Sequence, residues 1–298
     1  MSAAPVISRK TVPYLLLAPA LAGILVFQLY PFALGLWYGF NDIRLVSLNE
    51  YPFSGLRNFQ LVLTSKSPAF WERVMVNSLA FTFGSLAGQM GMGLVLAILL
   101  QQKWVWGRDL FRAVYLVPWV IASVIVGYTW RFMYDPRMGM LNTLLWALGV
   151  TPVSWLGTVQ LAMPALVLAN IWRGTGFSLV MQTAGLQSIP DELYDAACVD
   201  GATEWRMLLH ITLPLLKPFI LIDLIIASMR TINVFDLIYV MTNGGPLFRT
   251  EVLPLFMYHQ AFDMGYVGRG AAVATIILLI SVTLTLLYFR FLRTEETA

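Results

Sequence analysis

The stretch from Ala271 to Phe289 reads AAVATIILLISVTLTLLYF and contains no charged side chain. A helix needs about 20 mainly apolar residues to cross the hydrocarbon core of a bilayer. This stretch therefore predicts a membrane-spanning helix, which we place at about residues 270–292.

Five further segments along the chain have a similar character, and together they predict an all-α membrane protein in one transmembrane domain covering residues 1–298. The six predicted spans lie at about 13–39, 75–100, 113–134, 161–183, 219–241 and 270–292. The fifth of these is interrupted by Asp223, Arg230, Asn233 and Asp236, although its remaining residues are apolar. Because lipid offers the backbone no hydrogen-bond partner, we expect all six spans to be continuous helices.

The composition supports a membrane protein and excludes several other classes. Of the 298 residues, 58% are hydrophobic and only 12% are charged, whereas a soluble domain carries about 25% charged residues. The net charge of +3 is too small and too dispersed to indicate nucleic-acid binding. Cys198 is the only cysteine, and His210 and His259 lie far apart in the sequence. We therefore expect no disulfide, no metal site and no cofactor on this chain.

The orientation follows from lysine and arginine residues near the span ends. With the N-terminus inside, the cytoplasmic segments carry Arg9, Lys10, Lys103, Arg108, Arg112, Arg206, Lys217, Arg290 and Arg293. The outside segments carry Arg44, Arg57, Lys66, Arg73, Arg137 and Arg249. We predict that both termini are cytoplasmic. A secretory signal cleaved after Ala18-Pro19-Ala20 is the poorer interpretation, because the hydrophobic run continues past it.

The longest predicted cytoplasmic segment, residues 184–218, has the pattern of a helix pair. It reads SIPDELYDAACVDGATEW from Ser188 to Trp205 and continues to Ile211-Thr-Leu-Pro214. Ser188 followed by Asp191 has the spacing of a capping box, and Gly201 can adopt the left-handed conformation that ends a helix. We expect Pro214 and Pro218 to separate the second short helix from the next span.

The chain itself contains no phosphate-binding loop of the form G-x-x-x-x-G-K-[ST]. The segment 184–218 is also far too small to form a nucleotide-binding domain. If ATP drives this protein, the ATPase must lie on another chain.

The segment from Asp195 to Pro214 resembles the E-A-A-x-x-x-G-x(9)-I-x-L-P signature of binding-protein-dependent ATP-binding cassette (ABC) importer permeases. The residues in register are Ala196, Ala197, Gly201, Ile211, Leu213 and Pro214, and Asp195 replaces the usual glutamate. Other parts of the chain resemble the maltose and glycerol-3-phosphate type of sugar permease, as in Asn170-Ile-Trp-Arg-Gly174 and Phe235–Pro246. The Gly244-Gly-Pro246 form is typical of the first of two dissimilar permeases.

This resemblance implies a function and a set of partners. The partners are a second homologous permease, two subunits that bind ATP and Mg, and an extracytoplasmic solute-binding protein. The chain would lie in the cytoplasmic membrane of a bacterium or archaeon and would carry no catalytic residue. The coupling residues implied by the signature are Asp195, Ala196, Ala197, Gly201, Ile211, Leu213 and Pro214. The solute would be a sugar or polyol, with glycerol 3-phosphate or a glycerophosphodiester as the alternative.

Polar residues inside the predicted spans are candidates for the substrate pathway, because such groups usually face a cavity or a partner. We select Asn170 and Arg173 in the fourth span, and Asn233, Asp236 and Tyr239 at the fifth. The alternative is that the same residues only hold the bundle together. Asp223 and Arg230, seven residues apart, are interpreted as a structural pair, and one arginine alone does not distinguish a sugar from a sugar phosphate.

Two rival classes fit the sequence less well. A secondary transporter would usually be longer and show inverted repeats. A membrane-embedded enzyme would need a cluster such as paired histidines or carboxylates.

Overall fold

The computed structural model describes residues 12–47, 51–102 and 105–293. Within these ranges the regular structure is helical, with two isolated β-bridges, so the predicted all-α class is confirmed. Arg9, Lys10 and Lys103, which contributed to the predicted orientation, lie outside the described residues. The orientation of the chain stays a prediction.

The described residues form a succession of helices along the chain. In chain order they are α1 (Val12–Ile24), α2 (Tyr30–Gly39), α3 (Arg57–Leu63), α4 (Val76–Gln101), α5 (Arg108–Val120), α6 (Ser123–Met133), α7 (Met140–Ala147), α8 (Ala162–Gln187), α9 (Asp191–Val199), α10 (Glu204–Met207), α11 (Leu213–Ile232), α12 (Asp236–Met241), α13 (Leu253–Tyr258) and α14 (Val267–Arg293). Wider, π-helical turns adjoin them at Leu25–Leu29, Phe70–Met75, Leu208–Thr212 and His259–Asp263.

Several helical segments are long and apolar enough to cross a membrane. Among the described residues these are Leu16–Gly39, Phe70–Gln101, Glu204–Ile232 and Val267–Tyr288, and the bent pair α5–α6 adds a fifth if it forms one span. The predicted fourth span corresponds in position to α8, which is 26 residues long but does not reach the same apolarity. Helices long and apolar enough to span a membrane are thus confirmed, and the count of six spans remains a prediction.

The expectation that every span is a continuous helix is wrong in two places. The α5–α6 pair bends by 98°, where Ile121 and Ala122 adopt extended backbone angles. Pro118 lies one turn earlier and cannot donate a helical hydrogen bond. The fifth predicted span breaks between Ile232 and Asp236. Non-helical backbone is tolerated at membrane depth where it is buried in protein or lines a cavity.

Two local predictions around the cytoplasmic segment are also wrong. The Ser188 hydroxyl donates to the Gly185 carbonyl at 2.7 Å and so closes α8, whereas the residue that caps α9 is Pro190. Pro214 and Pro218 do not separate two helices, because Glu204–Ile232 forms one helical segment. In the π-helical turn before Pro214, the Leu213 amide donates to the carbonyl five residues back. This wider turn accommodates the proline ring, which would clash in a regular α-helix.

The chain divides into two compact units, Met1–Leu63 with Met257–Ile276, and Thr64–Phe256 with Ile277–Ala298. In the first unit, the buried Asn58 side chain donates to the carbonyls of Gly39 and Asn41, at 3.0 and 2.8 Å. These bonds fix the loop that follows α2. Whether the whole chain behaves as one permease domain stays a prediction.

In the second unit, α8 packs against α4, α5 and α11, and small residues allow close approach. A Cβ placed on Gly93 of α4 would lie 2.7 Å from the Ser178 Cβ of α8. A Cβ on Gly176 would overlap the carbonyl oxygen of Tyr115. Small residues at such contacts are typical of helix packing in membranes. They hold the polar residues of α8 close to the neighbouring helices.

Candidate functional sites: a polar cavity and a helical corner

A polar cavity lies between α4, α8 and α11 in the second unit. Its empty volume is about 310 Å³, which includes space open to solvent. The residues that line it are Gln89, Asn170, Arg173, Gly174, Phe177, Ala227, Arg230, Thr231 and Val234. The α8 contribution falls at spacings of three and four residues, which places these side chains on one face of the helix.

Gln89 and Gly174 fix one wall of the cavity. The Gln89 side-chain amide donates to the Asn170 carbonyl at 3.0 Å. A Cβ on Gly174 would collide with the end of the Gln89 side chain, which would have to move. The wall is therefore held by a direct bond between α4 and α8.

Two donors on this wall lack a hydrogen-bond partner within the described ranges of the chain. They are Nδ2 of Asn170, a residue only 3% exposed, and Nε of Arg173. An unsatisfied buried donor costs about 1–3 kcal/mol. Such groups need an explanation, and an acceptor-bearing solute in the cavity supplies one.

Arg230 lies at the edge of the cavity between aromatic rings. Its guanidinium carbon is 5.3 Å from the centre of the Trp119 ring and 5.2 Å from that of Phe177. Both distances allow cation–π attraction. The side chain is thus held by rings contributed by α5 and α8.

Asp223 is not the ion-pair partner of Arg230. Its carboxylate is fully buried and accepts hydrogen bonds from Ser178 Oγ and Gln182 Nε2, each at 3.1 Å. Among the residues that the structure describes, no ion pair within 4 Å joins Asp223 to Arg230. The two residues nevertheless attract one another electrostatically, so the predicted structural pair is confirmed only as a longer-range interaction without a direct ion pair.

The remaining pathway candidates follow the cavity along the chain without lining it. Asn233 is exposed and donates to the Met229 carbonyl at 2.8 Å, at the break after α11. Asp236 accepts a 2.7 Å bond from Ser123 Oγ, and Tyr239 stacks on the neighbouring ring of Phe235. Asp236 also lies close enough to attract Arg173. The structure thus brings Asn170 and Arg173 together with Arg230, and leaves the other three outside the lining.

Sequence reasoning missed the polar face of α8 as a whole. Asn170, Gly174, Ser178 and Gln182 recur at intervals of four residues along α8. This spacing is the signal of one polar and small-residue face. Its first half lines the cavity and its second half holds Asp223.

A second candidate site is the helical corner, which we define as residues Asp191–Met207, from α9 through the turn to α10. Gly201 has φ +75°, so the predicted left-handed conformation is confirmed. The Ala202 amide donates to the Ala197 carbonyl at 2.9 Å, and the Gly201 amide to the Cys198 carbonyl at 3.1 Å. These two bonds form a Schellman motif, which satisfies carbonyls that the helix end leaves free.

The helical corner presents an apolar and acidic surface. Its exposed large apolar side chains are Leu193, Val199 and Trp205, with Val199 89% exposed. The acidic side chains exposed beside them are Asp191, Glu192, Asp195, Asp200 and Glu204. Exposed apolar surface beside polar residues is typical of a protein-binding site.

The other signature residues lie partly in this corner and partly in the helix that follows. Asp195 and Ala196 are exposed, and Ala197 is half-buried. Ile211 packs on a core cluster of α4 and α8 residues, while Leu213 and Pro214 begin α11. On the inner side of α9, the Tyr194 hydroxyl lies 2.9 Å from Thr212 Oγ1 and attaches the corner to the bundle.

Residues 89–294, which include both sites, match the family described as binding-protein-dependent transport system inner membrane component. The chain belongs to this family. The resemblance inferred from Asp195–Pro214 is thereby confirmed, and the chain is a multi-pass membrane permease component of the family.

Individual relatives extend along nearly the whole chain. It is 36% identical to the trehalose/maltose transport system permease protein MalF of Thermococcus litoralis, over 93% of this chain and 92% of that protein. It is 34% identical to the sulfoquinovosyl glycerol transport system permease protein SmoG of Agrobacterium fabrum, over 95% and 90%. A crystal structure of a bacterial ABC transporter involved in the import of the acidic polysaccharide alginate has the same fold, with a TM-score of 0.83, 24% identity and 96% coverage of each chain.

Proposed function

We propose that this permease is the membrane subunit of an ATP-driven importer for a sugar or a related polyol. Family membership supports the importer assignment, and the relatives named above have carbohydrate cargo in their names. The proposed partners are a second homologous permease, two subunits that bind ATP and Mg, and an extracytoplasmic solute-binding protein. The proposed location is the cytoplasmic membrane of a bacterium or archaeon, with six spans and both termini inside.

One observation carries this proposal: a single helical segment connects the helical corner to the cavity. Glu204–Ile232 runs for 29 residues, beginning in the corner and ending just past Arg230 and Thr231, which line the cavity. With a rise of 1.5 Å per residue, Glu204 and Arg230 are separated by roughly 39 Å along the helix. A displacement of the helical corner is transmitted along Glu204–Ile232 to one wall of the cavity.

The mechanism follows from this connection. When ATP binding draws the two partner subunits together, the helical corner moves with them. Arg230 and Thr231 on α11 then shift relative to Asn170 and Arg173 on α8, and the cavity changes the side on which it opens. In this mechanism Asp195 contacts a basic residue of the ATP-binding subunit, and Gly201 sets the turn that orients the corner.

A permease for glycerol 3-phosphate or a glycerophosphodiester is the second candidate. It is favoured by the presence of two arginines, Arg173 and Arg230, at one cavity. Both candidates share the same assembly and energy source, so one experiment tests them together.

The test is co-purification combined with uptake. The chain, expressed with its partners, should purify with an ATPase and a second permease, and uptake into proteoliposomes should require ATP. Trp205→Asp, which places a charge on the exposed apolar surface of the corner, should abolish ATPase co-purification. Trp146→Asp alters another exposed tryptophan, which lies outside the corner, and should leave co-purification unchanged. ATP-independent uptake by the chain alone would refute the proposal.

A further inference from the structure

The cavity is lined by two arginines and, within the described part of the chain, by no acidic residue. We propose that the transported solute bears an anionic group, namely a carboxylate, sulfonate or phosphate, and that Arg173 and Arg230 bind this group in the cavity. The inference rests on the proposed function, because it assigns the substrate class of the same site.

Asp223 attracts Arg230 and Asp236 attracts Arg173, but each carboxylate also accepts hydrogen bonds from other residues. Asp223 accepts hydrogen bonds from Ser178 and Gln182, and Asp236 accepts one from Ser123. Neither arginine forms an ion pair within 4 Å in the ranges that the structure covers. The charged groups that line the cavity itself are thus the two guanidinium groups, while both carboxylates lie outside the lining.

The hydrogen-bonding capacity of the wall also favours an anion over a neutral hydroxyl. Nδ2 of Asn170 and Nε of Arg173 are buried donors that find no acceptor among the described residues. A guanidinium offers only donors, and an ionised carboxylate or phosphate oxygen is only an acceptor. A sugar hydroxyl brings its own donor as well, and this donor would need an acceptor in a wall that is rich in donors. The charge-assisted hydrogen bonds that an anion forms with such donors are roughly twice as strong as hydrogen bonds between neutral groups.

The arrangement of the two guanidinium groups points in the same direction. Arg173 and Arg230 lie close enough to repel one another. Trp119 and Phe177 hold Arg230 from the faces of their rings, so its N–H donors are not consumed by this contact. An anion placed between the two side chains removes the repulsion and satisfies both.

The test measures equilibrium binding of three labelled sugars to the assembled transporter in detergent at low ionic strength. Glucose, glucuronate and glucose 6-phosphate share one ring and differ in charge, and the last two distinguish a carboxylate from a phosphate preference. We expect at least one anionic sugar to bind at least tenfold more tightly than glucose. Arg173→Gln and Arg230→Gln should each reduce this preference at least tenfold, and Arg230→Lys, which keeps the charge, should reduce it less.

Controls separate binding from folding and from overall charge. Arg108→Gln removes one positive charge from an exposed position outside the cavity and should leave the preference unchanged. Arg230→Gln also loses the ring contacts, so assembly is checked by size-exclusion chromatography. Arg173→Gln provides a second measurement that does not depend on those rings.

Three results overturn the inference: equal binding of all three sugars, no binding of either anionic sugar at millimolar concentration, or an unchanged preference in both glutamine variants. ATP-dependent import of a neutral sugar together with any of these results leaves the proposed function standing. An anion preference without ATP-dependent uptake would instead refute the proposed function and retain the binding site.

Discussion

Substitutions at Gly201 test whether the geometry of the helical corner is required for coupling. Gly201 has φ +75°, and no heavy atom of the described residues lies within 4 Å of a Cβ built there. A new side chain therefore meets no neighbour, and its cost arises from the backbone alone. For an L-residue the left-handed conformation costs about 1–2 kcal/mol, which corresponds to a factor of about 5–30 in the population of the required turn.

A graded series of variants converts this cost into a measurable order. Asparagine tolerates the left-handed region and should be mildly affected, alanine should be intermediate, and the β-branched valine should be most affected. The concentration of ATP-binding subunit that gives half-maximal substrate-stimulated hydrolysis should increase in that order. For Gly201→Ala we expect an increase of up to about 5–30-fold.

The assay is a titration of ATP-binding subunits onto the permease pair in proteoliposomes, with membrane insertion checked for each variant. Gly149→Ala is the matched control, because Gly149 has φ +77° and similarly open surroundings but lies outside the corner. Its titration midpoint should equal that of the wild type. A wild-type midpoint for Gly201→Val, or an equal shift for Gly149→Ala, would contradict the coupling role of the turn.

Three further predictions concern the packing and the pathway. Gly93→Ala should lower the melting temperature of the isolated chain, because overpacking costs about 1–3 kcal/mol and the gain in helix propensity is at most about 1 kcal/mol. Gly91→Ala is the control and should not lower the melting temperature, because a Cβ at Gly91 meets open space among the described residues. Asp223→Ala should destabilise the bundle by about 1–3 kcal/mol, since Ser178 loses its acceptor and Gln182 keeps only the Met90 carbonyl. Asp223→Asn should lose less in the same thermal assay. Asn233→Ala and Asp236→Ala should slow uptake while size-exclusion chromatography shows intact assembly, whereas a purely structural role predicts loss of the complex.

Local signals in the sequence were sufficient for the helical class and for the turn of the corner. The left-handed Gly201 could be predicted because it depends on residues within one turn of it. Two features could not be predicted: the helix break after Ile232, and the continuation of the helix across Pro214. Both depend on wider turns and on side-chain hydrogen bonds that satisfy the backbone. Asn233, which was selected for its polarity, supplies one of these bonds by donating to the Met229 carbonyl.

The candidate cavity was predictable only in part. Asn170 and Arg173 could be selected because a polar side chain in a membrane helix needs a partner or a cavity. That these two residues line one cavity together with Arg230 could not be predicted, since it depends on how α8 and α11 pack. Two residues seven apart are separated by about 10 Å along a helix. The hydrogen-bond donors to Asp223 therefore come from the neighbouring helix α8.

The helical segment Glu204–Ile232 ends at the break between α11 and α12, and this end lies beside the cavity. α12 packs with α6 in one core cluster, through Leu237, Ile238 and Met241, and Asp236 is bonded to Ser123 at the start of α6. We therefore expect α12 to stay with α6 while α11 moves with the helical corner, and Arg230 to be displaced relative to α12.

Spin labels at the exposed positions Arg206 and Tyr239 should change their separation between the nucleotide-free and ATP-bound transporter. Labels at Tyr128 and Tyr239, on α6 and α12, should keep theirs. If the separation between Arg206 and Tyr239 were constant, the break would not act as a hinge, and the corner would have to reach the cavity by another route.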